Sequence, residues 1–483
     1  MAFTDRLANR GSVSTGYTVS NSMMCDRTRA QYVDRAFAYD SGQSNHQTKK
    51  ATYSCWVKRG DLGTTQYIFS ASSSARVQGL YFDTDNHLHW NLSGATGFNT
   101  NHYTKAKFTD VSAWYHIVWH FDTTQSTNEE RHRVYVNGEE FLNNQFSGKD
   151  YWNENNVLIQ NTVGEITAPG GPTTHAWGGK NGYSHSSTEN GDLKLAQCYF
   201  IYDQALDCNS FGEFNDDGVW VPKEFTGTFG YDGYHLEFKT SALTADSSGN
   251  SRTFTLVNGA DQTQDSPTNN FCNWNANSTE AAEIGHSSSN PDAFSGVNLL
   301  RQGGSSAYNP AFGTFGIWPA RTTVKWYWEM LSTTNIASSG SPAEGTVGWA
   351  RYNDIQSYVN SGVTNNIKNT GTTRYLSDYF SSSGANTVIG ILLEASTSNV
   401  KVKIYVNDTL EYTADNLGEG QYFFPMVSNY GSSSEFVANF GGGILQEFGG
   451  TNSYSDPAGY GEFRFSTKGG YALCTQNLAK YGG

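Results

Sequence analysis

Alternation with a period of two restricts the fold of this chain more than any other feature. In WYHIVWHFD, Tyr115, Ile117, Trp119 and Phe121 fall on one side of an extended backbone, and Trp114, His116, Val118 and His120 fall on the other. A helix would instead need apolar residues three and four apart. TTVKWYWEML repeats the pattern, with Val324, Trp326, Trp328 and Met330 set against Lys325, Tyr327 and Glu329. Both segments are expected to be half-buried strands. Turn chemistry joins such strands: GLYFDTDNHLHWNL reads as a hairpin turning at 83–86. HRVYVNG places His132, Val134 and Val136 opposite Arg133 and Tyr135, and ends in Asn137-Gly138, two residues that tolerate the positive φ of a tight hairpin turn. The whole unit recurs about 270 residues on: NTVIGILLEA, the polar turn STSN, then VKVKIYVNDTLEY with Asn407-Asp408 at the equivalent turn. A repeated strand, polar turn, strand, tight turn, strand predicts two domains of related β architecture.

Composition agrees. Aromatic residues make up 14% of the 483 residues and charged residues 16%, with 51 glycines, a mixture that suits short pleated strands and tight turns. The formal net charge of −14 would repel a phosphate backbone, so nucleic acid is not an expected partner. No apolar run approaches the roughly 18 residues of a membrane span, and the opening MAFTDRLANRGS lacks the apolar stretch of a secretory signal. The six cysteines (Cys25, Cys55, Cys198, Cys208, Cys272, Cys474) form no C-x-x-C pair and are expected to be free thiols folded in a reducing cytoplasm.

Four segments follow from the pattern. Residues 1–47 are polar and turn-rich, with the short RTRAQYVDRAF, and are expected to form an N-terminal docking arm. Residues 48–228 carry the first set of strands. The stretch 229–276, dense in turn formers, is expected to be a connecting β-hairpin or linker, and 277–483 to form the second domain. Within the latter, 351–386 is long, polar and without apolar periodicity, as a loop or contact arm would be.

At this level of detail the residues resemble a family. KKATYSCWVKRG, FTDVSAWYHIVWHFDTTQ with RHRVYVNGEEF, and LAQCYFIYDQALDCNSFGEFNDDGVWVPKEFTG are similar to the laminin-G-like, concanavalin A-like lectin domain of structural proteins from tailed, notably marine, bacteriophages; the similarity runs over 51–228. VKWYWEM, GWARY, KVKIYVNDTLEYT and YFFPMVSNYGSSSEFVANFGGG resemble a SPRY-type domain, from which the insert after Trp349 and the Gly-rich stretch after Phe440 depart. The resemblance implies an all-β chain of two concanavalin A-like jelly-roll sandwiches in tandem. It further implies a virion protein, assembled in the host cytoplasm: a tail fibre, head fibre or adhesin, non-enzymatic, contacting other virion proteins and host surface polysaccharide. A low-charge, aromatic-rich surface on such a chain favours contacts with copies of itself, as a trimer. The alternatives are a carbohydrate-active hydrolase (a depolymerase) and a capsid decoration protein without ligand.

Site residues are sparser. Glycoside hydrolysis needs two facing carboxylates, and no E-x-D-x-E run supplies them; Asp83 and Asp85 sit in a turn, and the adjacent Glu139 and Glu140 point to opposite faces. His116 and His120 share a strand face that could meet His132 across the hairpin, and His87 and His89 repeat the spacing; a metal is one use of such imidazoles, the wet face of a sheet the plainer one. Asn215, Asp216 and Asp217 resemble calcium-type oxygens without the acid that would complete the loop, so they read as a turn. The glycine runs lack a phosphate-loop context. No cofactor or metal is expected. For a glycan, the expected contacts are loop rings: Tyr151 and Trp152 in DYWNENN, and His175, Trp177 and Tyr183 in THAWGGKNGYSH.

Overall fold

A computed structural model describes residues 16–37, 48–72, 77–93, 99–141, 146–147, 160–161, 173–181, 189–239, 242–275, 294–295, 299–301, 309–319, 323–332, 346–352, 373–375, 386–415, 417, 420–429, 435–443, 448 and 453–482. The chain is all-β, in antiparallel sheets; among the described residues the one α-helix is Thr475–Tyr481. It divides into two units, one running to Gln262 with Ser266–Thr268, the other comprising Thr263–Asp265 and the residues from Asn269 on.

The first unit is a sandwich. One sheet runs in the order Glu139–Glu140, His132–Val136, Trp114–Asp122, Lys50–Arg59, Leu193–Tyr202, Ser22–Cys25, with Tyr234–Leu236 also paired to Leu193–Tyr202. The facing sheet runs Phe146–Ser147, Asn99–Lys107, His87–Ser93, Val77–Phe82, Gln66–Ser72, Thr173–Trp177, Tyr32–Phe37, Thr255–Val257. Between them Tyr53, Cys55, Ile117, Trp119 and Phe121 meet Phe69, Leu80, Leu88, Trp90 and Trp177 in one apolar cluster. The alternation read from WYHIVWHFD therefore holds, but its second face is not wet. Trp114 and Val118, with Trp56, Tyr135, Tyr199 and Ile201, form a second cluster under Cys208, Phe211 and Trp220, so this sheet is buried on both sides. Leu193–Tyr202 accommodates both layers through an irregularity between Ala196 and Tyr199, where Gln197 adopts φ 51°. One extra residue there shifts the inward set from Leu193 and Leu195 to Cys198, Phe200 and Tyr202.

Two segment expectations are corrected here. Within the predicted arm 1–47, Ser22–Cys25 and Tyr32–Phe37 are strands of the sandwich itself, because Met23, Cys25 and Val33 join its core. The predicted connector 229–276 is likewise no linker. Tyr234, Leu236, Phe238 and Phe254 lie in the first core, and Cys272 and Trp274 in the second. Apolar residues spaced among turn formers were enough to anchor it.

In the second unit one sheet runs Phe294–Ser295, Leu299–Arg301, Glu435–Asn439, Val324–Ser332, Thr387–Ala395, Val400–Val406, Thr409–Ala414, and another Asn309–Phe312, Phe423–Asn429, Thr346–Arg351, Thr373–Tyr375. Trp326, Trp328, Met330, Trp349, Ile391, Val402 and Val427 share their core. The opposite face of Val324–Ser332, expected to be wet, is covered as well: Tyr327 packs with Phe271, Leu392, Phe463, Ala472 and Cys474. Of the 351–386 insert, Thr373–Tyr375 pairs with the strand Thr346–Arg351; residues 353–372 and 376–385 lie outside the described set.

The repeated Y-V-N has a structural cause. Asn137 and Gly138 have φ 50° and 87°, Asn407 and Asp408 have 45° and 73°, the two positive values of a type I′ turn. In the first unit the Asn137 side-chain Oδ1 accepts from the His116 amide at 2.8 Å, while its own amide donates to the His116 carbonyl at 2.9 Å. In the second, Asn407 Oδ1 accepts from the Val388 amide at 3.0 Å and its amide donates to the Val388 carbonyl at 2.9 Å. Each asparagine thus turns one hairpin and pairs the end of the neighbouring strand.

Candidate functional site

The outer face of the second sheet of the first unit carries a row of stacked rings. Four strands each contribute one residue by direct register: Tyr67 opposite Tyr81, Tyr81 opposite His89, His89 opposite Tyr103. Ring centroids lie 4.8, 4.9 and 4.8 Å apart, with interplanar angles of 24°, 23° and 13°. These distances equal the strand spacing of about 4.8 Å, so the rings stand side by side across the sheet. The residues between them, Leu80, Phe82, Leu88 and Trp90, point into the core. Gly79 matters here: a Cβ on it would come within 2.8 Å of the Tyr67 ring and 2.6 Å of the Phe69 carbonyl.

Charges border the row. Asp83 Oδ2 lies 2.7 Å from His89 Nε2, and the Tyr81 hydroxyl 3.3 Å from His89 Nδ1. With Nε2–H donating to the carboxylate, Nδ1 faces the tyrosine hydroxyl. Asp83 Oδ1 accepts from the amides of Asp85 and His87, which fixes the hairpin turn. Beyond Tyr67, Lys180 Nζ sits 5.6 Å from the ring centroid and 2.6 Å from Glu189 Oε2. Burial, with the charges of Asp83 and Glu189 adding to it, pushes the Tyr81 phenol up to about 12. At neutral pH it is a hydrogen-bonding group, not a phenolate.

The other expected residues fall elsewhere. His175 and Trp177, expected on a loop, lie on Thr173–Trp177 in the middle of the second sheet, and both are fully buried. Their rings pack with Phe37, Phe69 and Phe200, and both side chains meet the Tyr234 hydroxyl, at 3.2 and 3.0 Å. Neither can stack on a ligand; alternation within THAW, read as strand, would have signalled this. Tyr151, Trp152 and Tyr183 lie outside the described residues.

The histidines do not converge. Register sets His120 opposite Arg133 and Phe121 opposite His132, so His132 faces the core beside Trp90 and His102 while His116 and His120 face the other way. His116 Nδ1 accepts from the Trp220 indole at 3.0 Å, so Nε2 carries the proton and donates to Ser54 Oγ at 2.9 Å. Burial lowers His116 to about 3. This Ser–His contact is therefore no nucleophile–base pair, because the base lone pair is already used. Among the described residues no three His, Cys, Asp or Glu are placed to hold a metal ion. Asn215 Oδ1 accepts from the amides of Asp217 and Val219, the turn expected of it.

A buried cluster of charges forms a clasp. Arg27 donates from its amide and Nε to Asp192, at 2.8 and 3.2 Å, and from Nη2 to Asp61 at 3.3 Å. Burial, with Asp61 adding to it, raises Asp192. All three side chains are nearly inaccessible, so the carboxylates tie strand ends together and are closed to a substrate.

Residues 34–174 match the family described as the concanavalin A-like lectin/glucanases superfamily, of the laminin-G type. None of the curated proteins matches the chain. Among solved structures it is similar to domains LG4-5 of the mouse laminin α1 chain (9% identity, 90% of this chain and 85% of that chain, TM-score 0.28). It is also similar to the CBM40 domain of Ruminococcus gnavus IT-sialidase bound to α2,3-sialyllactose (14%, 40% and 95%, TM-score 0.27) and to the SPRY domain of human HERC1 (15%, 29% and 87%, TM-score 0.21).

Proposed function

We propose that the chain is a non-enzymatic appendage protein of a phage particle, binding host-surface glycan weakly through the first sandwich and assembling with other virion proteins and with copies of itself. The reading proceeds from the lectin-type match over 34–174 and from the sequence resemblance to tailed-phage structural proteins. The observation that carries the glycan assignment is the row Tyr67, Tyr81, His89, Tyr103 bordered by Asp83, Lys180 and Glu189. Ring edges carrying hydroxyls, bordered by carboxylate, imidazole and ammonium groups, suit a ligand with many hydroxyls. A shallow face of this kind supports a Kd of about 10 μM to 1 mM per site, and multiple copies supply avidity.

The test is a screen of host-envelope polysaccharides for retention and for release of reducing ends, with wild type and the Tyr81→Ala and Tyr103→Ala variants. Retention by wild type and its loss in both variants is expected. Release of oligosaccharides would overturn the non-enzymatic reading, and retention unchanged in both variants would move the site off this face.

A further inference from the structure

Resting on the glycan reading of the same face, we infer that the row recognises its ligand through ring edges, not ring faces, and that the ligand is an extended hydroxyl-rich chain lying across the strands. Tyr81 has Tyr67 on one face and His89 on the other, and His89 has Tyr81 and Tyr103, each at 4.8 or 4.9 Å. A sugar cannot enter such a stack. Tyr81 and Tyr103 are nonetheless half-buried, not sealed, so what they present is the edge with its hydroxyl, that of Tyr81 already hydrogen-bonded to His89 Nδ1. The edges of Tyr81 and Tyr103 recur two strands apart with His89 between them, a separation of about 10 Å, twice the strand spacing, which favours a chain running along the row over a single terminal sugar.

The two ends of the row differ. Tyr67 is 5% exposed, lying between Tyr81 and the ammonium of Lys180, itself held by Glu189. Tyr103 ends the row at the other side, with His87 tilted against it at 5.4 Å. The ligand therefore engages the Tyr103–Tyr81 part of the row, and Tyr67 only supports it.

Phenylalanine substitutions separate edge from face, because they remove the hydroxyl and keep the ring. The full chain and its Tyr81→Phe, Tyr103→Phe and Tyr67→Phe variants would be titrated with the envelope polysaccharide that wild type retains, and with its fragments from monosaccharide to hexasaccharide. A net hydrogen bond of about 1 kcal/mol predicts roughly fivefold weaker binding for Tyr81→Phe and for Tyr103→Phe. Tyr67→Phe should bind as wild type does; Tyr67→Phe and Tyr103→Phe should keep the thermal midpoint, and Tyr81→Phe, which also loses the contact to His89 Nδ1, is titrated well below its own midpoint. Affinity should climb with fragment length before levelling. If Tyr81→Phe and Tyr103→Phe bind like wild type while the alanine variants do not, the ring faces carry recognition and the inference fails while the glycan reading stands. Saturation already reached with a monosaccharide would overturn the extended ligand. If wild type retains no polysaccharide at all, the glycan reading itself falls and the inference with it.

Discussion

Asn137 and Asn407 make the same two hydrogen bonds in different units, so their substitution should have parallel effects. Alanine removes the acceptor for the strand amide of His116 or Val388 and must also adopt a positive φ. A loss of about 1–3 kcal/mol is expected for each, read by chemical unfolding. Glycine at the same positions, which keeps the φ, should cost less than alanine. Trp177→Ala tests the relocation of that ring from loop to core: about 3–5 kcal/mol should be lost through the cavity it leaves. A Trp177→Ala protein as stable as wild type would contradict its place between Phe69 and Tyr234. In the sequence, Trp177 is a candidate for glycan stacking as a loop ring in THAWGGKNGYSH; the neighbours that bury it come from strands far away in the chain.

At the scale of elements, the C-terminal segment covers Val324–Ser332 through one buried carboxylate. Glu329 accepts from the amides of Arg464 and Phe465, at 2.7 and 2.8 Å, and from the Tyr327 hydroxyl at 3.1 Å. Burial raises it to about 7. Because the folded value lies above the unfolded one, the folded unit binds more protons between them, and this contribution to stability is full below about 4.5 and lost as pH rises through about 7. The gap is worth on the order of 3 kcal/mol, at about 1.4 kcal/mol per pH unit. Amide exchange at Arg464 and Phe465, corrected for its intrinsic pH dependence, should therefore show less protection at pH 8 than at pH 5. In Glu329→Gln that difference should vanish. An unchanged difference in the variant would assign the pH dependence to another group. The clasp makes a second prediction at this scale. Arg27→Ala takes the guanidinium away from the buried Asp61 and Asp192, and should cost about 3–5 kcal/mol in chemical unfolding.

For the whole molecule, circular dichroism should show β structure with helix far below the roughly one-third typical of globular domains. Sedimentation should show self-association at tens of micromolar if the proposed assembly with copies of itself holds; a monodisperse monomer would count against that part of the proposal. Much of the architecture was legible because it is local. Period two in 114–122 and 324–332 gave the strands, and paired turn residues gave the hairpins at 83–86, 137–138 and 407–408. The Tyr81–His89 pair was within reach only by allowing the turn one extra residue, since pairing symmetric about 83–86 sets Tyr81 opposite Leu88, and the observed register has Asn86 at φ 69°. Tyr103 and Tyr67 were not, because their pairings contain register irregularities, between His87 and His89 and between Tyr67 and Phe69, that alternation does not reveal. The sequence by itself determined an all-β chain with two related hairpin units and six free cysteines. Only the tertiary structure decided which faces were wet. A strand's alternation separates two sets of side chains without saying what lies over either. Here the segments carrying Phe211 and Trp220 in one unit, and Phe463 and Ala472 in the other, closed faces that alternation alone would leave to solvent.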